Sequence, residues 1–177
     1  NLIYAGGLNY KRYETLSLLA RAIKEYNNQS TNAKAFLSIY SIKRPPKKVL
    51  RKLNIQGASE FLGGLNIEDL KVKLNEADIP VHVESFDLKS IESTRLSIST
   101  KIPEYLSLGK PILAIGPKEV ASMKLLENVA YCIYDKSSIY NELCKFFEDK
   151  KAQEDLMKKS AKMFLDKYNK DTLRRLT

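Results

Sequence analysis

One stretch of this 177-residue sequence carries the most information about its fold: SISTKIPEYLSLGKPILAIG, residues 97–116. Small hydroxyl side chains open it, a helical pattern follows, and Gly109 with Pro111 is typical of a helix end. The apolar run 111–115 then has the length of a buried strand. We therefore expect a helix with Ser99 or Thr100 as its N-cap, a stop at Gly109 and a strand directly after it.

The same alternation of short apolar runs and helical patterns extends in both directions along the chain. Strand-like runs occur at 2–5, 35–40, 59–62, 79–83, 111–115 and 129–134. Strands that alternate with helices predict right-handed βαβ units. The expected fold is α/β, a Rossmann-like doubly wound parallel sheet of about six strands with helices on both faces, and the length fits one domain, residues 1–177.

The helical segments carry their own signals. Leu16, Leu19, Ala20 and Ile23 form an apolar stripe at helical spacing, and so do Leu70, Leu74 and Ala77; Asn66 is a predicted N-cap. Residues 137–168 predict two amphipathic helices with apolar anchors at Leu143, Phe146, Phe147, Leu156, Met163, Phe164 and Leu165.

Composition excludes several classes of function. Two cysteines and one histidine, His82, lack metal-ligand spacing, so we expect no metal, no Cys/His catalysis and a buried or edge-strand His82. No apolar run approaches the roughly 20 residues of a membrane span. The net charge of +9 favours an anionic partner, namely phosphate, nucleic acid or a membrane surface. No nucleic-acid-binding motif accompanies this charge, so nucleic acid is not an expected partner.

Glycines follow two of the predicted strands. Gly6 and Gly7 come directly after the first strand and precede the cations Lys11 and Arg12. Glycine permits close approach of the backbone to a ligand, and a helix start offers free N–H groups to phosphate. The spacing is not the dinucleotide-binding fingerprint, and a tight turn with solvated cations is the alternative interpretation.

The third predicted strand ends in a similar way, with Gly64 and Leu65. Ligands of doubly wound sheets bind beyond the carboxyl ends of the strands, so both glycine turns are expected to flank one site. Lys101 lies at the first turn of the helix after residue 99, where a cation meets an anion, and Glu104 lies one turn inside it, where a carboxylate accepts hydrogen bonds from a ribose diol. A capped helix with a favourably placed glutamate explains the same residues.

Residues 99–116 resemble the donor-site helix and following strand of GT-B glycosyltransferases related to family 4, glycosyl transferases group 1. The resemblance covers nearly the whole chain, in the order glycine turn, Phe-Leu-Gly-Gly turn and Glu-Tyr-Leu-x-x-Gly-Lys-Pro. It implies that Glu104 holds a ribose, that Lys11 and Arg12 meet the diphosphate, and that Gly7 allows close approach. The implied donor-binding set is Gly6, Gly7, Lys11, Arg12, Gly64, Leu65, Ser99, Thr100, Lys101 and Glu104.

The glutamate pattern differs from that of the family. A second Glu often lies eight residues before the ribose Glu, and this sequence has Leu96 there, with Glu84 and Glu92 displaced from it. The resemblance therefore does not predict how the sugar is bound or the stereochemistry of its transfer, and no catalytic residue is assigned.

The two cations of the first turn also differ from the family pattern. Lys11 and Arg12 are adjacent rather than separated by a few residues, so either is a candidate, with Lys101 and Arg95 as other sources of charge. Exposed cations contribute little stability, so replacement of both Lys11 and Arg12 is expected to leave folding little changed.

Residues 43–52 form the densest basic run. They favour a solvated helix face, and an anionic membrane or a lipid-linked acceptor is the alternative partner.

The resemblance implies the C-terminal, donor-binding domain of a cytoplasmic glycosyltransferase of the hexosyltransferase type. Its donor would be a nucleotide-diphosphate sugar such as a UDP-sugar, with no metal or other cofactor, in glycan or cell-surface polysaccharide synthesis. We expect a missing N-terminal domain, no activity of this fragment alone, and peripheral contact with the inner face of a membrane. A non-hydrolysing sugar-nucleotide epimerase of the same fold and a flavodoxin-like or receiver-like binding module are the alternatives.

Overall fold

The computed structural model describes residues 1–31 and 34–168. Its strands are β1 Leu2–Ala5, β2 Leu37–Tyr40, β3 Ser59–Gly63, β4 Ile79–Val83, β5 Leu113–Ile115 and β6 Tyr131–Ile133. Its helices are α1 Arg12–Gln29, α2 Lys47–Leu53, α3 Ile67–Glu76, α4 Leu88–Thr94, α5 Ile102–Ser107, α6 Ala121–Leu126, α7 Ile139–Glu148 and α8 Lys150–Tyr168. Each predicted strand is confirmed, with small changes at the ends of four of them.

The strands form one parallel sheet in the order β3-β2-β1-β4-β5-β6. The order reverses between β1 and β4, so the connections on the two sides of that point cover opposite faces of the sheet. This topology confirms the doubly wound prediction and opens a crevice beyond the carboxyl ends of the central strands.

Two apolar clusters cover the two faces of the sheet. Leu2 and Tyr4 of β1 point into the cluster built by α1, α2 and α7, whereas Ile3 and Ala5 point into the one built by α3, α5 and α6. Adjacent strand residues face opposite sides because side chains alternate along a strand. The predicted stripe of α1 is fully buried, and its Leu16, Leu19 and Ile23 belong to the first cluster. Helix α8 packs against both α7 and α5, and its Met163 and Phe164 contact the second cluster.

One predicted anchor of α8 is wrong. Leu165 is 56% exposed, because it directly follows Phe164 and successive residues of a helix are about 100° apart around its axis.

The helix ends match two predictions and contradict a third. The side chain of Asn66 accepts a hydrogen bond from Asp69 N at 2.8 Å, and Gly109 has φ 63° after α5. Neither Ser99 nor Thr100 is the N-cap of α5, which is Lys101. Residues 99–101 form a separate turn, in which Ile102 N donates to Ser99 O at 3.2 Å, so the helix begins later than expected.

Candidate functional site

A cleft of about 940 Å³ lies at the carboxyl edge of β1, β2 and β3. Three βα loops and the α4–α5 loop, residues 95–101, supply its walls. The lining residues are Ala5, Gly6, Gly7, Leu8, Asn9, Arg12, Tyr13, Tyr40, Ser41, Ile42, Lys43, Arg44, Pro45, Pro46, Val49, Gly64, Leu65, Ile67, Leu70, Ser97, Ile98, Ser99, Thr100 and Lys101. The two glycine turns thus flank one cleft, as the sequence predicts.

The cleft brings together most of the predicted donor-binding residues. Those that line it are Gly6, Gly7, Arg12, Gly64, Leu65, Ser99, Thr100 and Lys101. Lys11 does not line it, and its Nζ lies 2.6 Å from the Asp87 carboxylate. Glu104 also lies outside the lining, where its carboxylate pairs with Lys101 Nζ at 2.7 Å.

Arg12 belongs to a buried charge network below the cleft. Its Nε and Nη2 donate to Glu84 Oε2 at 3.0 and 2.9 Å, and the side chains of Arg12 and Glu84 are only 19% and 2% exposed. His82 is buried on the central strand β4, with Nε2 3.1 Å from Glu84 Oε1 but not well aligned for a hydrogen bond. The expectation that Arg12 is an exposed cation is therefore wrong.

Opposing effects set the pKa of the Glu84 carboxyl. Burial raises its pKa, whereas contact with His82 and the charge and hydrogen bonds of Arg12 lower it, and the pKa ends below its ordinary value of 4.5. Glu84 is therefore ionised at neutral pH and holds the Arg12 guanidinium in place.

The β1–α1 loop, residues 6–11, has a tightly fixed backbone. Tyr10 and Lys11 adopt left-handed conformations with φ 54° and 56°, which non-glycine residues rarely do. The hydroxyl of Tyr4 donates to Gly7 O at 2.7 Å, and the buried hydroxyl of Tyr105 accepts from Ala5 N at 3.2 Å. The Tyr4 side chain thus holds this loop directly, and the Tyr105 side chain of α5 holds the end of β1 from which the loop starts.

The wall formed by the α4–α5 loop depends on a residue that sequence reasoning missed. Ser122, at the start of α6, is fully buried. Its hydroxyl accepts from Ser99 N at 3.0 Å and donates to Ser97 O at 3.1 Å. No local pattern marks Ser122, because its partners lie more than twenty residues earlier in the chain.

Two glycines of the cleft have different physical roles. A Cβ on Gly64 would lie 2.9 Å from the Ile42 Cα, so this position brings the β2–α2 and β3–α3 loops together. A Cβ on Gly7 would meet only the Asn9 side chain, at 4.0 Å. Gly64 is thus required for packing, whereas Gly7 leaves open space beside the cleft.

The expectation of a solvated helix face for the basic run holds for residues 47–52, whose lysines and arginine are exposed on α2, but not for the β2–α2 loop, residues 41–46. Helix α2 begins only at Lys47, and Lys43 and Arg44 lie on the loop and line the cleft. In the sequence, the pair Pro45–Pro46 indicates that the helix begins only after these prolines, because a proline restricts the residue before it to extended backbone.

Within residues 1–31 and 34–168, no group of three or more His, Cys, Asp or Glu side chains is arranged to hold a metal ion. Burial raises the pKa of the Cys132 thiol to about 11, so little thiolate forms at neutral pH. In the same residues, no helix combines the length and apolar character that crossing a bilayer requires.

Comparisons with known proteins identify the fold. No protein-family model matches the chain, and no curated protein matches its sequence. Among solved structures it is similar to WaaG, a glycosyltransferase involved in lipopolysaccharide biosynthesis, with 17% identity, TM-score 0.64, and coverage of 96% of this chain and 43% of that one.

Two further solved structures are similar over almost the whole chain. Sucrose-phosphate synthase from Thermosynechococcus elongatus has 16% identity and TM-score 0.63, with coverage of 98% of this chain and 43% of that one. α,α-Trehalose 6-phosphate synthase from Burkholderia multivorans has 10% identity and TM-score 0.65, with coverage of 99% and 41%.

These similarities establish the expected fold, a Rossmann-like α/β domain of the kind that forms one half of GT-B glycosyltransferases. The chain spans about two fifths of the length of the structures that it matches.

Proposed function

We propose that this chain is the donor-binding domain of a glycosyltransferase and that its cleft binds a nucleotide-diphosphate sugar. One observation carries the proposal: both glycine turns, the α4–α5 loop and several cations line a single cleft at the carboxyl edge of the sheet. The fold shared with the glycosyltransferases above supports the same class of function. Ligands of doubly wound sheets bind at this edge.

The proposed chemistry relies on positioning and electrostatics rather than on a metal. Backbone N–H groups of the β1–α1 loop and the cations of the cleft would stabilise the negative charge that develops on the leaving diphosphate. Glu104 lies one turn after Lys101, which lines the cleft, and we propose that its carboxylate accepts hydrogen bonds from the ribose hydroxyls.

Transfer of the sugar would need a second domain to carry the acceptor, so we expect this chain alone to bind the donor without turnover. For the whole protein we propose hexosyl transfer in glycan or cell-surface polysaccharide synthesis, in the cytoplasm and at the periphery of the membrane. Identification of the product would distinguish a glycosylated acceptor from an epimerised nucleotide sugar.

Isothermal titration calorimetry tests the binding step. UDP-sugars or GDP-sugars should bind more tightly than NAD or FMN, since the first turn lacks the dinucleotide fingerprint. Binding of a flavin or NAD, together with no binding of any nucleotide diphosphate, would refute the proposal.

A substitution at Glu104 tests the ribose assignment. A charged acceptor that bonds two hydroxyls contributes about 1.5 to 3 kcal/mol, so Glu104→Gln should lower nucleotide affinity roughly ten- to a hundredfold. The preference for a ribonucleotide over its 2′,3′-dideoxy analogue should largely disappear. Glu76→Gln is the matched control, because Glu76 forms the same i,i+3 pair, with Lys73, outside the cleft. Full preference for the ribose in Glu104→Gln would leave Glu104 as a helix-dipole residue only.

A further inference from the structure

The cleft has a one-sided charge. Its lining contains the cations Arg12, Lys43, Arg44 and Lys101, and among the described residues it contains no carboxylate. All charged side chains that an anionic ligand would meet in this lining are therefore positive.

Two of these cations already have carboxylate partners. Arg12 is hydrogen-bonded to Glu84. Lys101 is paired with Glu104, and the side chains of Lys101 and Glu104 are 33% and 26% exposed. A phosphate that approaches either cation must compete with a carboxylate that is already in contact. Both positions therefore attract an anion less strongly than a free cation would.

Lys43 and Arg44 are different. Neither forms an ion pair with any residue in the described ranges 1–31 and 34–168, and both side chains are exposed. The sequence offers no local counter-charge either, since residues 26–59 contain no Asp or Glu. The full charge of both residues is therefore available to a ligand in the cleft.

The loop that carries these two residues is held in place. Ser41 N donates to Gly63 O at 2.9 Å, and the Ile42 backbone lies so close to Gly64 that a Cβ there would be 2.9 Å from the Ile42 Cα. Pro45 and Pro46 fix the backbone on the other side, since their rings lock φ. A preformed loop loses less conformational entropy on binding than a mobile one.

We propose that Lys43 and Arg44 form the principal phosphate-binding element of the cleft, so that the diphosphate of a bound nucleotide is held from the β2–α2 loop. An arginine offers a planar fork of N–H donors to phosphate oxygens, and a lysine adds a compact charge. This assignment differs from the one implied by family resemblance, which places the diphosphate on the β1–α1 loop. The identity of the ligand as a nucleotide rests on the proposed function, whereas the assignment of the phosphate site to Lys43 and Arg44 does not.

The test compares two double variants of the 177-residue chain by calorimetry. Lys43→Ala/Arg44→Ala removes the two free cations of the cleft. Lys47→Ala/Lys48→Ala is the matched control, because it removes the same charge from the next turn of the basic run, on α2 and outside the cleft. All four side chains are exposed, so both variants should fold like the wild type, which circular dichroism and thermal melting will check.

The probes are UDP, GDP, their nucleosides and inorganic pyrophosphate. Lys43→Ala/Arg44→Ala should weaken binding of UDP or GDP and of pyrophosphate by about tenfold or more, with nucleoside binding unchanged. Lys47→Ala/Lys48→Ala should change these affinities less than about twofold, since solvent and salt screen exposed charges outside the site.

The outcomes separate this inference from the proposed function. Unchanged nucleotide affinity in Lys43→Ala/Arg44→Ala, or an equal loss in Lys47→Ala/Lys48→Ala, overturns the inference and leaves the function standing. Suppose that Lys43→Ala/Arg44→Ala loses pyrophosphate binding, that Lys47→Ala/Lys48→Ala retains it, and that the wild type binds nucleotides no more tightly than pyrophosphate. This result supports the inference and overturns the proposed function. No binding of any phosphate probe overturns both.

Discussion

Arg12 provides the sharpest test of how the cleft floor is built. Replacement of Arg12 with Ala would leave the Glu84 carboxylate, only 2% exposed, without the guanidinium that donates two hydrogen bonds to it. Breaking a buried ion pair from one side costs 3 to 5 kcal/mol in typical cases, because the remaining charge is desolvated without a partner. Because Arg12 is partly exposed and His82 lies near Glu84, we expect the lower end of this range, a loss of about 3 kcal/mol in the free energy of unfolding.

Urea denaturation at pH 7 measures this loss, and the melting temperature should fall by roughly 6 to 12 °C for a domain of this size. Lys11→Ala is the natural control, because Lys11 is the adjacent cation but pairs with Asp87 in an exposed position. Its removal should change the free energy of unfolding much less, since solvent screens exposed pairs. The double variant Arg12→Ala/Glu84→Gln should recover part of the loss, as no buried charge then remains unpaired.

The pH dependence adds a second criterion. The folded-state pKa of Glu84 is lowered, so its ionised form contributes stability above pH 4.5, and this contribution is lost as the pH falls toward the folded-state pKa. In Arg12→Ala, Glu84 becomes protonated at a higher pH than in the wild type, and protonation removes the penalty of the unpaired buried charge. The difference in the free energy of unfolding between variant and wild type should therefore shrink below pH 4.5. A loss in Arg12→Ala no larger than in Lys11→Ala, or one that stays constant as the pH falls, would refute the reasoning.

Two further expectations concern the walls of the cleft. Gly64→Ala should lower the free energy of unfolding by about 1 to 3 kcal/mol, because its Cβ would lie 2.9 Å from the Ile42 backbone. Gly7→Ala should leave the free energy of unfolding unchanged and weaken only ligand binding. Equal urea midpoints for the two variants would contradict this expectation. Ser122→Ala should cost about 1 to 3 kcal/mol by leaving two backbone groups of the α4–α5 loop unpaired, and hydrogen exchange there should accelerate. Ser93→Ala, which removes an exposed hydroxyl, is its control and should behave like the wild type.

Much of the fold was predictable because its signals are local. Each strand is a short apolar run that ends at polar or glycine residues, and α1 carries its buried stripe at helical spacing, so periodicity alone locates these elements. The βαβ alternation then leaves few topologies, since crossovers are right-handed. The position of both glycine turns at one edge of the sheet follows from the same rule.

The charges of the site were less predictable. Lys11 and Arg12 look equivalent in the sequence, yet only Arg12 lines the cleft. It is held by Glu84, which directly follows β4 and lies 72 residues further along the chain. Lys43 and Arg44 look like the start of a solvated helix, yet the loop that carries them lines the same cleft.

The sequence by itself determined the order of strands and helices and the residue types that meet at the carboxyl edge of the sheet. Only the tertiary structure decided which cations are neutralised and which are free, and that Ser122 holds a wall of the cleft. The physical reason is that periodicity and turn signals depend on neighbours in the chain. Ion pairs and buried hydrogen bonds instead depend on distances between segments that come together only when the sheet assembles.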